Sequence, residues 1–224
     1  GAATTSADTY VNHHHVIDSN VIHNVGRLNA GAAGVWLHAS GENRVTRNYI
    51  NRSPRNGVGT FGIHFDQVVQ ENPNGIFEFK GEDSLTFETQ FELAHAKYNE
   101  ISFNEMSNVV RDSCDPGAIE SYGIGKGHNV SFNAVHDITQ PPVLFHQPLQ
   151  RAQQIISVLF ADAQTHYSEY KGNAVFEVNA CGGGAGICSK SWAQNNEGNV
   201  FVRHPHTYRP PVKFPYKCTK SLFA

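Results

Sequence analysis

The sequence is short of charged residues. Asp, Glu, Lys and Arg make up only 17% of its 224 residues, and the formal net charge is −3. Globular chains usually contain about 25% charged residues. So few charges argue against intrinsic disorder, and the absence of a basic surplus argues against binding to the phosphates of nucleic acid. The longest nearly apolar run, residues 155–161, is too short to span a membrane.

Cysteine is also scarce, with four residues in the chain. Their spacing contains neither a Cys-x-x-Cys pair nor a His partner at zinc-site distance, so no structural zinc is predicted. Cys181 and Cys188 are close enough for a local disulfide, whereas Cys114 and Cys218 could pair only through the fold. Together with the glycosylation sequon at residues 129–131, the cysteines favour a secreted protein in an oxidising environment.

Asparagine and glycine replace the missing charges, with 20 residues of each. These two residues best tolerate a backbone with positive φ, and both are common in turns. A chain with so many turn residues is expected to form many short strands rather than a helical bundle. The composition therefore predicts an all-β protein.

One short pattern repeats along the chain: a polar residue, Val or Ile two positions later, and Asn three positions after that. The central asparagines are Asn20, Asn48, Asn104, Asn133, Asn173 and Asn199. They are separated by 28, 56, 29, 40 and 26 residues, which we interpret as a period in the high twenties. On this interpretation 56 is two periods, and 40 is one period carrying an insertion. A second, offset repeat consists of strand-like runs opened by Gly34, Gly57, Gly62, Gly117 and Gly186.

Such a period predicts a solenoid of parallel strands, three to each turn, in which apolar side chains of successive coils stack into one core. We assign the six repeated asparagines to a turn ladder. Asparagine permits a left-handed backbone, and its amide can hydrogen-bond to the same amide of the next coil, about 4.8 Å away. These asparagines are therefore expected to be architectural and not to bind substrate.

Two regions interrupt the period in what we take to be a single β-helix domain of residues 1–224. Residues 67–98 contain apolar residues at a helix-like spacing behind a candidate cap, Ser84. Residues 139–154 contain three prolines, which regular ladder strands do not accommodate. Both are expected to be inserted loops, and loops on one side of a rigid solenoid commonly frame a binding groove.

The ladder also gives a register for the few charges. Gly117 and Ser157 each lie 16 residues before a ladder asparagine, so residues 117–122 should stack on residues 157–162. Glu120 then lies two strand positions from the level of Asp162 on the same face, with the Cα atoms roughly 8 Å apart. Two carboxylates at such a separation can act as general acid and as base or nucleophile.

Other polar and aromatic residues fall near the same strand end and make a candidate groove for a polar polymer or oligosaccharide. This substrate-binding set comprises His38, His64, Asp66, Tyr122, Lys190 and Trp36, although Trp36 suits the core equally well. The run of three histidines at 13–15 suggests surface residues, because adjacent side chains cannot all face one ion. No metal site and no cofactor are predicted, since the glycine-rich stretches lack the Gly-Lys-Ser/Thr of a phosphate loop.

Three stretches, residues 20–59, 98–138 and 158–202, resemble the right-handed parallel β-helix carbohydrate-active proteins, most closely the glycoside hydrolase branch that includes α-L-fucosidases. Asp115-Pro116-Gly117-Ala118-Ile119-Glu120 is similar to the family's Asp-Gly-Gly-Ala-Ile-Tyr. Leu159-Phe160-Ala161-Asp162-Ala163 is similar to its Ile-Tyr-Leu-Asp-Asp. The resemblance implies Asp115 and Asp162 as the catalytic carboxylates, whereas the register pairs Glu120 with Asp162. Pro116, Glu120 and Ala163 depart from the family pattern.

The leading hypothesis is a secreted glycoside hydrolase that uses Asp162 with either Asp115 or Glu120. One alternative is a polysaccharide lyase on the same fold, for which Lys190, His64 and Asp66 are candidates. Another is a non-catalytic β-helix that binds glycans or belongs to a larger structural assembly. Because members of the resembled family are usually longer, we expect the chain to be a fragment, a processed product or one part of an assembly whose other chain covers its N-terminal end.

Overall fold

The computed structural model describes residues 12–63, 69–71, 77–79, 91, 96–111, 116–139, 157–162, 165–179, 185–189 and 194–202. The protein is all-β, and most of its strands belong to three parallel sheets. Sheet I consists of β1 (Val16–Asp18), β4 (Arg44–Thr46), β10 (Glu100–Ser102), β14 (Asn129–Ser131), β18 (Glu169–Lys171) and β21 (Asn195–Glu197). Sheet II consists of β2 (Val21–His23), β5 (Tyr49–Asn51), β11 (Glu105–Ser107), β15 (Ala134–Thr139), β19 (Ala174–Asn179) and β22 (Val200–Val202).

Sheet III consists of β3 (Val35–His38), β6 (Val58–Phe61), β12 (Gly117–Tyr122), β16 (Ser157–Ala161) and β20 (Ala185–Ser189). A smaller parallel sheet contains β9 (Ala96–Lys97), β13 (Gly125–Lys126) and β17 (Thr165–His166). The only antiparallel pair among the described strands joins β7 (Val69–Glu71) to β8 (Phe77–Phe79). The β7–β8 pair lies within the first predicted insertion.

The chain passes through sheets I, II and III in turn and then begins the same circuit one strand further along. We call one such set of three strands a rung; β4, β5 and β6 form one rung, and β10, β11 and β12 form the next. Strands of neighbouring rungs pair in parallel, as in Arg44 opposite Glu100 and Glu100 opposite Asn129. The sequence repeat therefore corresponds to one rung, as predicted.

The prediction that the interval of 56 residues spans two periods is wrong. Asn48 bonds directly to Asn104, and β4 pairs directly with β10, so this interval is one rung with an insertion and not two periods. The run opened by Gly62 also differs from the prediction, since its described residues, Gly62 and Ile63, are not part of sheet III. Ile63 makes only an isolated antiparallel bridge to Ile124, because the chain leaves the sheet after Phe61. Of the helix-like run behind Ser84, only Phe91 and residues 96–98 are described, and Ala96 and Lys97 form β9 of the smaller parallel sheet rather than part of an inserted loop. Nearly all of the second insertion lies outside the described residues.

Aliphatic side chains at matching positions of successive rungs fill the space between the sheets. The strands of sheets I and II are mostly three residues long, so a single central residue points inward from each, and β-branched side chains suit this packing. Residues from all three sheets form one buried hydrophobic cluster. It includes Val45, Ile101 and Val130 from sheet I, Ile50, Met106 and Val135 from sheet II, and Val58, Ile119 and Leu159 from sheet III.

The predicted asparagine ladder is present between sheets I and II. Each Nδ2 donates to Oδ1 of the asparagine one rung further along, at 2.8–3.0 Å, and this chain of bonds joins Asn20, Asn48, Asn104, Asn133, Asn173 and Asn199 in order. The left-handed backbone, however, belongs to the residue before each ladder asparagine. Those residues are Ser19, Arg47, Phe103, Phe132, Gly172 and Gly198, with φ of 54° to 63°. The asparagines therefore contribute hydrogen bonds to the ladder, not the left-handed backbone of the turn.

A candidate carboxylate pair on the outer face of sheet III

The outer face of sheet III brings the candidate site residues together. Side chains alternate along a strand, and Val58, Ile119 and Leu159 point into the core, so the residues that follow them point outward. We call a set of paired residues on successive strands a column. The outward-facing column across β3, β6, β12 and β16 consists of Trp36, Gly59, Glu120 and Phe160. The next outward column begins with His38, Phe61 and Tyr122.

Asp162 extends this second column. Gly117 pairs with Ser157 and Ser121 with Ala161, which is the register predicted from the ladder. Asp162 directly follows Ala161, and its backbone N–H donates to the Ser121 carbonyl at 2.8 Å. Glu120 in β12 and Asp162, directly after the adjacent strand β16, therefore lie on the same face and two positions apart, and only 1% and 6% of their surfaces are exposed.

The carboxylate of Glu120 is held by residues from the preceding rung. Asn56 donates from Nδ2 to one carboxylate oxygen at 2.6 Å, and Arg55 donates from Nη2 to the other at 3.4 Å. The backbone N–H of Gly117 adds a longer contact of 3.5 Å. Asn56 is itself fully buried and also donates to the Gly117 carbonyl, so the loop that leads into β6 fixes the position of the Glu120 carboxylate.

Burial raises the pKa of the Glu120 carboxyl group above its usual value of 4.5. The positive charge of Arg55 and the hydrogen bond from Asn56 oppose this rise, whereas the negative charge of Asp162 adds to it. The two carboxyl groups therefore interact electrostatically. A carboxyl group with a raised pKa near a second carboxyl group is an arrangement that suits general acid catalysis.

An aromatic group lies beside the carboxylates. The Trp36 and Phe61 rings stack with centroids 3.9 Å apart and planes 11° apart, and Phe61 also approaches Tyr122 at 6.2 Å. The Arg55 guanidinium carbon lies 5.9 Å from the Phe61 ring centre. Trp36 is therefore an outward-facing residue and not part of the core, and the aromatic group contacts the same arginine as Glu120.

The other predicted site residues divide into two groups. His38 is exposed at the end of β3, in the column of Phe61 and Tyr122. Asp115, His64, Asp66 and Lys190 lie outside the described residues, as do Cys114, Cys181 and Cys218. The pairing of Asp115 with Asp162 that the resemblance implies thus stays a prediction, and so do the disulfides.

Sequence reasoning missed Arg55, Asn56 and Phe61. A signal was present, because Gly57 opens a strand of the same repeat as Gly117, and the residues before it should lie near the same sheet edge. Aligning the two glycines gives a register that is one residue off, however. Val58 pairs with Ile119, so Gly57 lies level with Ala118.

The described residues contain no group of three or more His, Cys, Asp and Glu side chains arranged to hold a metal ion. Within the same residues, no helix has the length and hydropathy needed to cross a membrane. The fold and the site together define an all-β protein of stacked parallel rungs with a buried carboxylate pair on one sheet. No protein-family model, curated protein or solved structure matches the chain.

Proposed function

We propose that the three sheets are the faces of a right-handed parallel β-helix and that the protein is a glycoside hydrolase acting on an oligosaccharide or polysaccharide. Parallel strands joined by a crossover connection are almost always right-handed, which supports the handedness. The observation that carries the activity is the buried pair of Glu120 and Asp162 on one face, in which burial, with a smaller contribution from the charge of Asp162, raises the pKa of Glu120.

In this proposal Glu120 is the general acid. Its carboxyl group transfers a proton to the glycosidic oxygen as the bond from that oxygen to the anomeric carbon breaks. Arg55 and Asn56, which already donate to the two Glu120 oxygens, stabilise the carboxylate that remains. Asp162 either activates the attacking water or attacks the anomeric carbon itself, and water completes the hydrolysis in both cases.

The test compares three variants of unchanged size: Asp162→Asn, Glu120→Gln and Asp115→Asn. We expect Asp162→Asn to abolish the release of reducing sugar from a panel of polysaccharides, with an unchanged β-sheet circular dichroism spectrum. We expect Glu120→Gln to lose activity on natural linkages but to retain it on dinitrophenyl glycosides, because that leaving group departs without a proton. Full activity of Asp162→Asn would refute the proposal.

Asp115→Asn decides between the two partners of Asp162. If Asp115 is the acid, its variant gives the behaviour expected above for Glu120→Gln, and Glu120→Gln stays active on natural linkages. The Glu120 assignment requires the reverse result. Both variants remove the ability to ionise and replace one carboxylate oxygen with an amide nitrogen of similar size, so a difference between them is not a difference in side-chain volume.

A non-catalytic glycan-binding protein is the second candidate, and the burial of Glu120 favours it. A carboxylate with 1% of its surface exposed, bonded to Asn56 and to the Gly117 backbone, is also what a purely structural acid looks like. In that case glycans bind to the wild-type protein, no reducing sugar is released, and Glu120→Gln lowers stability without changing glycan affinity.

A further inference from the structure

Trp36 exposes an apolar surface on the strand face that carries the carboxylates. Phe61 covers one face of its indole ring, yet 46% of Trp36 stays accessible to solvent. Single exposed apolar residues are common on protein surfaces, so exposure alone assigns no role. Trp36 differs from a typical exposed apolar residue because its neighbours hold its ring in a fixed position.

Gly59 makes room for this arrangement. A Cβ atom at Gly59 would lie 2.2 Å from the Phe61 ring, so the ring occupies the space that a side chain at position 59 would need. Phe61 is nearly buried there and contacts Tyr122 and Arg55 as well as Trp36. The Phe61 ring therefore holds the indole in place before any ligand binds. This preorganisation reduces the side-chain entropy that is lost when a ligand binds to the indole.

The distance between Trp36 and the carboxylates suggests a role for this exposed surface. Trp36 pairs with Gly59, and Gly59 pairs with Glu120, so Trp36 and Glu120 are two strands apart in one outward column. Two strand spacings amount to about 10 Å. One sugar ring does not cover that distance from a bond held at Glu120, but a chain of several sugars does.

We propose that Trp36, stacked on Phe61, is a sugar-binding platform for an oligosaccharide whose reacting bond lies at Glu120 and Asp162. The apolar C–H face of a sugar ring would cover the exposed face of the indole, as aromatic side chains do with flat apolar surfaces. The inference rests on the proposed function for the location of the reacting bond. It adds the substrate class: glycans of at least three sugars, and not simple glycosides.

The binding test uses an array of neutral and acidic oligosaccharides of one to six sugars, probed with the Asp162→Asn protein so that bound glycans stay intact. Titration calorimetry then measures the affinity of each series that binds. We expect the affinity to rise between one and three sugars, and Trp36→Ala to remove this rise with a loss of about tenfold or more. Trp36→Phe, which keeps an aromatic face, should retain most of the affinity.

Phe103→Ala is the matched control. Phe103 is 58% exposed and stacks on Phe132 with ring centroids 5.2 Å apart, but it lies at the turn between sheets I and II. Its substitution should leave glycan affinity unchanged. A loss of affinity in Phe103→Ala as large as that in Trp36→Ala would overturn the platform, since the effect would then belong to exposed aromatic residues in general.

Three further results would overturn the platform: no oligosaccharide on the array binds, Trp36→Ala binds as tightly as the parent, or sedimentation finds a dimer that Trp36→Ala dissociates. The last result would identify a second copy of the chain as the occupant of this face. The two proposals can fail separately. Chain-length-dependent binding through Trp36 without release of reducing sugar supports the platform and refutes the hydrolase. Hydrolysis that Trp36→Ala leaves unchanged for every chain length refutes only the platform.

Discussion

At the scale of single residues, Glu120 combines a burial cost with a position suited to catalysis. Its carboxyl group is removed from water, and the charge of Asp162 opposes its ionisation further. Arg55 and Asn56 supply partners that make the ionised form tolerable. Because the pKa is raised overall, these partners offset only part of the free energy that burial of the ionised carboxyl group costs. This cost has a direct consequence for the pH dependence of stability.

The folded protein holds the Glu120 proton to a higher pH than the unfolded chain does, because the folded pKa is raised. The contribution of this group to the free energy of unfolding therefore falls as the pH rises from about 4.5 to the folded pKa, and it is constant above that. We expect Glu120→Gln to remove this decline. Urea unfolding curves recorded at intervals from about pH 4 to pH 8 measure it.

Asp162→Asn is the companion variant in this experiment. Burial still raises the pKa of Glu120 in this variant, but the smaller contribution from the charge of Asp162 is removed, so the decline should end at a lower pH than in the wild type. An identical pH dependence in the wild type and in Glu120→Gln would contradict the assignment of a raised pKa to this group. The measurement needs no substrate and thus stands apart from the question of activity.

The sequence contained enough information to place Glu120 and Asp162 together but not to find what holds Glu120. Gly117 and Ser157 are the same distance from their ladder asparagines, so counting residues gives their register. Arg55 and Asn56 come from a loop between sheets II and III, and the corresponding loops of successive rungs differ in length. Side-chain contacts across such loops depend on packing that no repeat encodes.

At the scale of structural elements, the asparagine ladder is the strongest determinant of register. Each internal Oδ1 accepts both the side-chain amide and the backbone N–H of the asparagine in the preceding rung, as Asn133 does for Asn104 at 3.0 Å each. A ladder asparagine also donates to a backbone carbonyl, which for Asn133 belongs to Ile101. At this turn the sheets provide no partners for the buried backbone N–H and carbonyl groups, and the ladder asparagines provide them instead.

Asn133→Ala should therefore be strongly destabilising. The substitution leaves the buried backbone N–H of Asn104 and the carbonyl of Ile101 without these partners, at a cost of about 1–3 kcal/mol each. We expect a total loss of about 3–5 kcal/mol in the free energy of unfolding, measured by urea unfolding followed by circular dichroism.

Asn20→Ala provides the control for this prediction. Asn20 has the same donor bonds, to Asn48 and to the Asp18 carbonyl, but it is exposed, so water can replace them. A loss below about 1 kcal/mol is expected for this variant. Equal losses in the two variants would mean that burial of the ladder does not determine its contribution.

The ladder could be predicted from the sequence because each asparagine side-chain amide bonds to the asparagine amide of the next rung. Such a ladder requires asparagine at the same position of every rung. The left-handed turn positions could not be predicted in the same way. Phe103 and Phe132 have positive φ although their side chains disfavour it, and their neighbours in the same column include Arg47 and Gly172. The fixed backbone of the turn imposes this conformation on whatever residue occupies it, so residue type carries little signal.

At the scale of the whole molecule, each rung contacts mainly the rungs on either side of it. Sheet I illustrates this, with β10 and β14 each paired on both sides and β1 and β21 at the two edges of the described sheet. The stacked arrangement could be predicted from the period, because a rung cannot bury its apolar side chains alone. The number of rungs could not, because the insertion after Phe61 makes one rung as long as two periods.

This arrangement predicts how stability varies along the molecule. Stability in such arrays is approximately a sum of rung and interface terms, so opening an edge strand disrupts one interface and opening a central strand disrupts two. Amide hydrogen exchange should therefore be slowest in β10 and β14 and faster towards β1 and β21.

Two backbone N–H groups make a matched pair for this measurement. That of Glu100 in β10 donates to the Asn43 carbonyl at 2.8 Å, and that of Asn195 in β21 donates to the Ser168 carbonyl at 2.9 Å. We expect at least about tenfold slower exchange at Glu100. Equal protection would mean that β21 opens only with the whole molecule, in one cooperative unit, and would contradict stability that is additive from rung to rung.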